Sequence, residues 1–138
     1  MAVCQEKMNM VDESAVKAVG AYGGGIASSG SVCGILLGGI AMISSIYSRG
    51  SLDEKENPRI WGLSKKFLKK FEEITEPYGG INCRDIAGVD WKDKDAVKEY
   101  YSNPENSSRK ICIELVGEAA CILGELLEQE EAREKTEK

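Results

Sequence analysis

The sequence predicts an all-α fold, a compact single-domain helical bundle with a central apolar helix at about residues 32–47 and a long C-terminal helix. Three observations make the prediction. Apolar residues recur at helical spacing in the segments that follow Pro58 and Pro104. An uncharged, apolar run of helical length, Val32 to Tyr47, follows a glycine-rich turn. Capping residues or prolines stand where the periodic segments begin. The 138 residues suffice for one domain, and a domain of this size hides roughly 70% of the surface its unfolded chain exposes. A composition that is 42% hydrophobic and 30% charged belongs to a globular chain rather than a disordered one. The domain is expected to span 1–128, with 129–138 a charged tail that frays.

In chain order, a first helix is expected over Ala2 to Met10 and a second from Asp12, whose carboxylate caps it, with Ala15, Val16 and Val19 on one face. It stops at Gly20. The stretch Gly23 to Gly30 holds four glycines in eight residues, which favours a loop with unusual backbone angles or close approach of a neighbour. Ser31 offers an N-cap oxygen to the central helix. Within that helix Gly34, Gly38 and Gly39 would each cost about 1 kcal/mol against alanine on an exposed face, so their presence points to a close neighbour. The GxxxG spacing has a functional reading, a homodimer through this helix; intramolecular close packing is the simpler one.

After the polar turn Arg49 to Asn57, Pro58 starts a helix whose stripe is Ile60, Leu63, Phe67, Phe71 and Ile74, with Lys65, Lys66, Lys69 and Lys70 on the other side. Lys69 and Glu73 are spaced to pair, so the lysines read as a solvated face. Pro77 ends the helix, and Tyr78-Gly79-Gly80 makes a second glycine turn. Short helices are expected over Asn82 to Ala87 and Asp93 to Tyr101, which leaves Trp91, Val97, Tyr100 and Tyr101 available for burial. The last helix, about Ser107 to Glu128, carries Cys112, Leu115, Val116, Ala119, Leu123 and Leu126 at helical spacing.

A net charge of −5 argues against nucleic acid as a partner, because phosphate neutralisation needs a basic field. With no histidine in the chain, Ser-His-Asp and Cys-His nucleophiles and histidine metal sites are excluded. The run Val32 to Tyr47 falls short of the roughly 20 apolar residues a membrane span needs. The first ten residues carry Glu6 and Lys7 and lack an apolar signal core, so the expected location is the cytoplasm, where thiols stay reduced. There, cysteines are more often reactive or metal-binding than structural.

Cys33 and Cys83 share one design: glycines, a polar capping residue, then cysteine at a helix start. The first turn of a helix presents unpaired N–H groups and the positive end of the backbone dipole, so both thiols are expected to ionise more easily than a free cysteine, with Arg84 adding charge beside Cys83. Cys112 lies on the apolar stripe of the last helix and can meet them. Cys121, nine residues on, turns to the other side among Glu114, Glu118 and Glu125 and is left out. There is no CxxC for a compact metal site and no Lys-Ser or Lys-Thr after the glycines for a phosphate loop.

Tyr22-Gly23-Gly24-Gly25, the run Cys33 to Gly38, the run Gly79 to Gly88 and Cys112 together resemble the redox-active C-GCAxxG-C-C protein family in order, spacing and total length. The resemblance implies a small prokaryotic helical protein with a redox role resting on four cysteines: Cys33, Cys83, Cys112 and, in the N-terminal place, Cys4. The leading expectation is therefore a thiol site of Cys33, Cys83 and Cys112 that cycles between thiol and disulfide, needs no cofactor, and serves an unidentified redox partner. Two alternatives stand beside it. One is a metal or iron–sulfur protein using Cys33, Cys83, Cys112 and Cys4; the other is a helical interaction domain whose cysteines only pack.

Overall fold

The computed structural model describes residues 1–138, the side chain of Ser107 excepted, and the fold is all-α. In order, the helices are α1 (Ala2–Lys7), α2 (Glu13–Ala18), α3 (Gly34–Tyr47), α4 (Arg59–Thr75), α5 (Cys83–Ala87), α6 (Lys94–Ser102) and α7 (Ser107–Glu137), with single 3-10 turns at Gly20–Tyr22 and Glu76–Tyr78. Asp12 caps α2 by accepting from the Ala15 N–H, as its position predicts, and Asp93 caps α6 by accepting from Asp95 and Ala96.

Helices α3, α4 and α7 pack on one another and form the core. Leu36, Met42 and Ile43 of α3 meet Phe67 and Phe71 of α4 and Leu115, Ala119, Leu123 and Leu127 of α7, all buried. The predicted stripe of α4 is buried from Ile60 to Phe71. The glycines of α3 are taken up inside the chain: a Cβ on Gly39 would stand 2.2 Å from the Phe67 ring, and one on Gly38 would stand 3.5 Å from the Met1 nitrogen.

Three boundaries differ from expectation, the first being α1, which ends at Lys7 rather than Met10. The central helix starts at Gly34 with Cys33 as its N-cap, rather than at residue 32 under a Ser31 cap. The reason is non-local: Val32 forms an isolated antiparallel bridge with Asn82, which holds the backbone extended up to Cys33. At the other end, α7 runs on to Glu137 rather than ending at about Glu128. Arg59 at the start of α4 donates to Glu130 at 2.9 Å, lies 3.5 Å from Glu134 and also pairs with Glu137, so one guanidinium fastens the last two turns.

The loop before α3 holds an unusual conformation. Gly24, Gly25, Ile26, Ala27 and Ser28 all lie in the left-handed region, at φ of 62°, 70°, 63°, 50° and 59°. For the three residues that carry a Cβ this costs roughly 1–2 kcal/mol each. Backbone bonds offset the strain: Gly30 N–H donates to Gly24 at 2.9 Å, Ser31 N–H to Gly25 at 3.0 Å, and Ala27 N–H to Ala21 at 2.7 Å. The Ser29 hydroxyl adds a bond to the Gly25 carbonyl at 2.6 Å.

Candidate functional site

The two glycine turns lie side by side. Cys33 N–H donates to the Ile81 carbonyl at 2.9 Å, and Cys83 N–H donates to the Ser31 carbonyl at 2.7 Å, on either side of the Val32–Asn82 bridge. Each cysteine is thus the first residue past the bridge on its own strand, and each then enters a helix. Arg84 reinforces the junction twice at one acceptor, its backbone N–H and its Nε reaching the Gly30 carbonyl at 3.1 and 3.2 Å. Gly25 packs directly beneath, where a Cβ would meet the Ser31 carbonyl at 2.5 Å and the Cys83 Cβ at 2.6 Å.

Cys33 and Cys83 are both buried, at 6% and 8% exposure. Cys33 belongs to the main core, while Cys83 sits in a smaller cluster with Ala87, Val89 and Tyr100, and Cys112 packs against both. The structure therefore brings the three expected sulfurs together, near enough for charge on Cys83 or Cys112 to act on Cys33 and for charge on Cys112 to act on Cys83. Cys4 stands apart. It is buried between α1 and α7, and after burial the groups that act on its thiol are the N-terminal amine and Lys7 rather than another sulfur. Cys121 is exposed, 3.9 Å from the Glu125 carboxylate, on the side the spacing assigned to it. All five cysteines are free thiols, and among the described residues no set of three His, Cys, Asp or Glu side chains is arranged to hold a metal ion.

The electrostatics reverse the expectation for both helix starts. Burial pushes the Cys33 thiol above its ordinary 9.0, and although the backbone N–H groups of Ile35 and Leu36 pull it down, burial and the neighbouring sulfurs prevail. Burial also raises Cys83, against a downward pull from the Trp91 indole, which donates to its sulfur at 3.3 Å. Arg84 is not among the groups that act on this thiol; its Nε is turned to the Gly30 carbonyl. Tyr100 is driven upward by burial first and by Cys112 second. At Cys33 and Cys83 burial under aromatic cover thus favours the thiol over the thiolate, the reverse of what a helix start alone would do.

Trp91 and Tyr100 are the functional residues that sequence reasoning treated only as core. Trp91 stands edge-on to Tyr100, centroids 5.3 Å apart, and covers Cys83, while Tyr100 lies against Cys112. The hint in the sequence is an aromatic residue just before α6, Trp91, and another in its last turn, Tyr100.

The raised thiols make stability depend on pH in one direction. The unfolded chain ionises its cysteines first, so the stability they contribute is whole below about pH 9 and lost as the pH climbs through the folded pKa values. Urea unfolding followed from neutral pH to about pH 10 is expected to show that decline, and a Cys33→Ala variant is expected to show less of it. A decline as steep in the variant as in the parent would refute the role of Cys33. By the same burial, iodoacetamide at neutral pH should modify exposed Cys121 before either Cys33 or Cys83.

An all-α domain with three free thiols converging where two glycine turns meet a long helix is a cysteine-centred protein. The chain belongs to the family described as "Putative redox-active protein (C_GCAxxG_C_C)", whose model matches residues 1–126. No curated protein and no solved structure matches the chain. Among the described residues no helix is long and apolar enough to cross a membrane.

Proposed function

We propose that Cys33 and Cys83, with Cys112 against both, form a thiol centre that cycles between dithiol and disulfide in the cytoplasm and exchanges electron pairs with a redox partner. The observation that carries the reading is the Val32–Asn82 bridge, which makes the two cysteines diagonal neighbours across an antiparallel pair. Such neighbours stand about 7–8 Å apart at Cα, and a disulfide needs roughly 7 Å or less. A small approach of the two turns therefore closes the bond. In the oxidising direction one cysteine thiolate attacks a partner disulfide and releases a partner thiol; the second cysteine attacks the mixed disulfide, forming the Cys33–Cys83 bond and releasing the other.

Redox titration with differential alkylation, read cysteine by cysteine, tests this. Cys33 and Cys83 are expected to lose reactivity together in a single two-electron step, reversed by dithiothreitol, while Cys121 titrates independently. Both remaining alkylatable under excess diamide, or titrating at separate potentials, would overturn the reading.

A further inference from the structure

We propose that the polar pocket outside Trp91 receives a small disulfide carrying both carboxylate and ammonium groups, and that the indole is the door between this pocket and the Cys83 sulfur. The inference rests on the thiol–disulfide reading above and adds the substrate class to it. The pocket has a volume of about 550 Å³, a size that suits a small ligand. Trp91 forms part of its wall and at the same time donates to Cys83 Sγ at 3.3 Å, so the way from solvent to this sulfur runs past the indole.

The lining states the ligand's chemistry. Arg84 and Lys92 face it with positive charge and Asp85 and Asp90 with negative charge, and Ser29 adds a hydroxyl. Charges of both signs disfavour a phosphate, which the carboxylates repel, and an apolar guest, which satisfies none of them. They suit a zwitterion. Both ends of the charged set are held in place: the Arg84 Nε is anchored to the Gly30 carbonyl, and the Asp90 carboxylate accepts from the Lys92 backbone N–H at 3.0 Å. Trp91 lies outside any helix, in the turn between α5 and α6, and is only half-buried, so its movement disturbs little of the core.

The step balances without a further reagent. Cys83 thiolate attacks one sulfur of the ligand, the ligand S–S bond breaks, and one ligand thiolate leaves and takes a proton from water. Cys33 thiolate then attacks Cys83 Sγ, the Cys33–Cys83 bond forms, and the second ligand thiolate leaves. The ligand is reduced by two electrons and the cysteine pair is oxidised by two.

The test uses the reduced full chain with two reagents, cystine and uncharged bis(2-hydroxyethyl) disulfide, each rate normalised to its reaction with free N-acetylcysteine. Adducts are trapped with acid and located by mass spectrometry. Cystine is expected to be favoured about tenfold at low salt, the worth of one charge-assisted contact near 1.4 kcal/mol. Its first adduct is expected on Cys83. Lys92→Gln and Asp85→Asn, both at exposed positions, are each expected to erode the preference several-fold and leave the uncharged reagent unaffected. Trp91→Ala is expected to raise the uncharged reagent's rate at Cys83, and an unchanged rate overturns the door. Equal normalised rates, or a first adduct on Cys33, overturn the docking site and leave the thiol centre standing. Reaction with neither reagent, nor with diamide, overturns both.

Discussion

Replacing Gly25 by alanine is expected to destabilise the fold by about 3 kcal/mol or more, a fall in Tm of roughly 10 °C, and to unseat Cys83. Two effects add. At φ of 70° an L-residue is strained, and the new methyl would stand 2.5 Å from the Ser31 carbonyl oxygen and 2.6 Å from the Cys83 Cβ. The carbonyl cannot retreat without breaking its bond from Cys83 N–H, and that bond is one of those that pin the glycine turns together. Iodoacetamide should therefore reach Cys83 faster in the variant, in parallel with the loss of stability. Gly62→Ala supplies the contrast. Gly62 lies within α4, is exposed, and has nothing within 4 Å of its virtual Cβ, so there the same change is expected to stabilise by about 0.5–1 kcal/mol. Equal and small effects at the two positions would show that Gly25 does not hold the junction.

The same junction explains what could and could not be read from the residues. Features written within one or two helical turns were legible: the stripe Ile60, Leu63, Phe67 and Phe71, the cap at Asp12, the opposed faces of Cys112 and Cys121. Features that depend on distant partners were not. Val32 reads as the first residue of an apolar helix until Asn82 pairs with it, and the acidic tail reads as solvated until Arg59, 71 residues before Glu130, reaches it. The thiols show the limit most clearly. A helix start does favour a thiolate, and the Ile35 and Leu36 N–H groups act on Cys33 in that sense, but local sequence does not report how much of the chain will close over the sulfur. Nor did the glycines reveal that Ile26, Ala27 and Ser28 would share the left-handed backbone of Gly24 and Gly25.

Phe67→Ala is expected to cost about 3–5 kcal/mol, at the upper end of that range for a single truncation. The ring is 1% exposed and fills the notch left by Gly39, and it also borders an apolar cavity of about 250 Å³ shared with Cys4, Ile35 and Leu123. Removing it enlarges a space that already exists, on a side where no neighbour stands ready to collapse inward. The converse substitution makes the pairing measurable. In the parent, Gly39→Ala would place its Cβ 2.2 Å from the Phe67 ring and is expected to destabilise by about 1–3 kcal/mol, through overpacking. In the Phe67→Ala background the obstructing ring is gone, so the same change fills space and improves helix propensity, and its sign is expected to reverse. Urea unfolding of the four proteins in this cycle gives the coupling between the two positions directly. Additive effects would mean that the notch in α3 exists for some other neighbour, and that the close contact of α3 with α4 is not fixed by this pair.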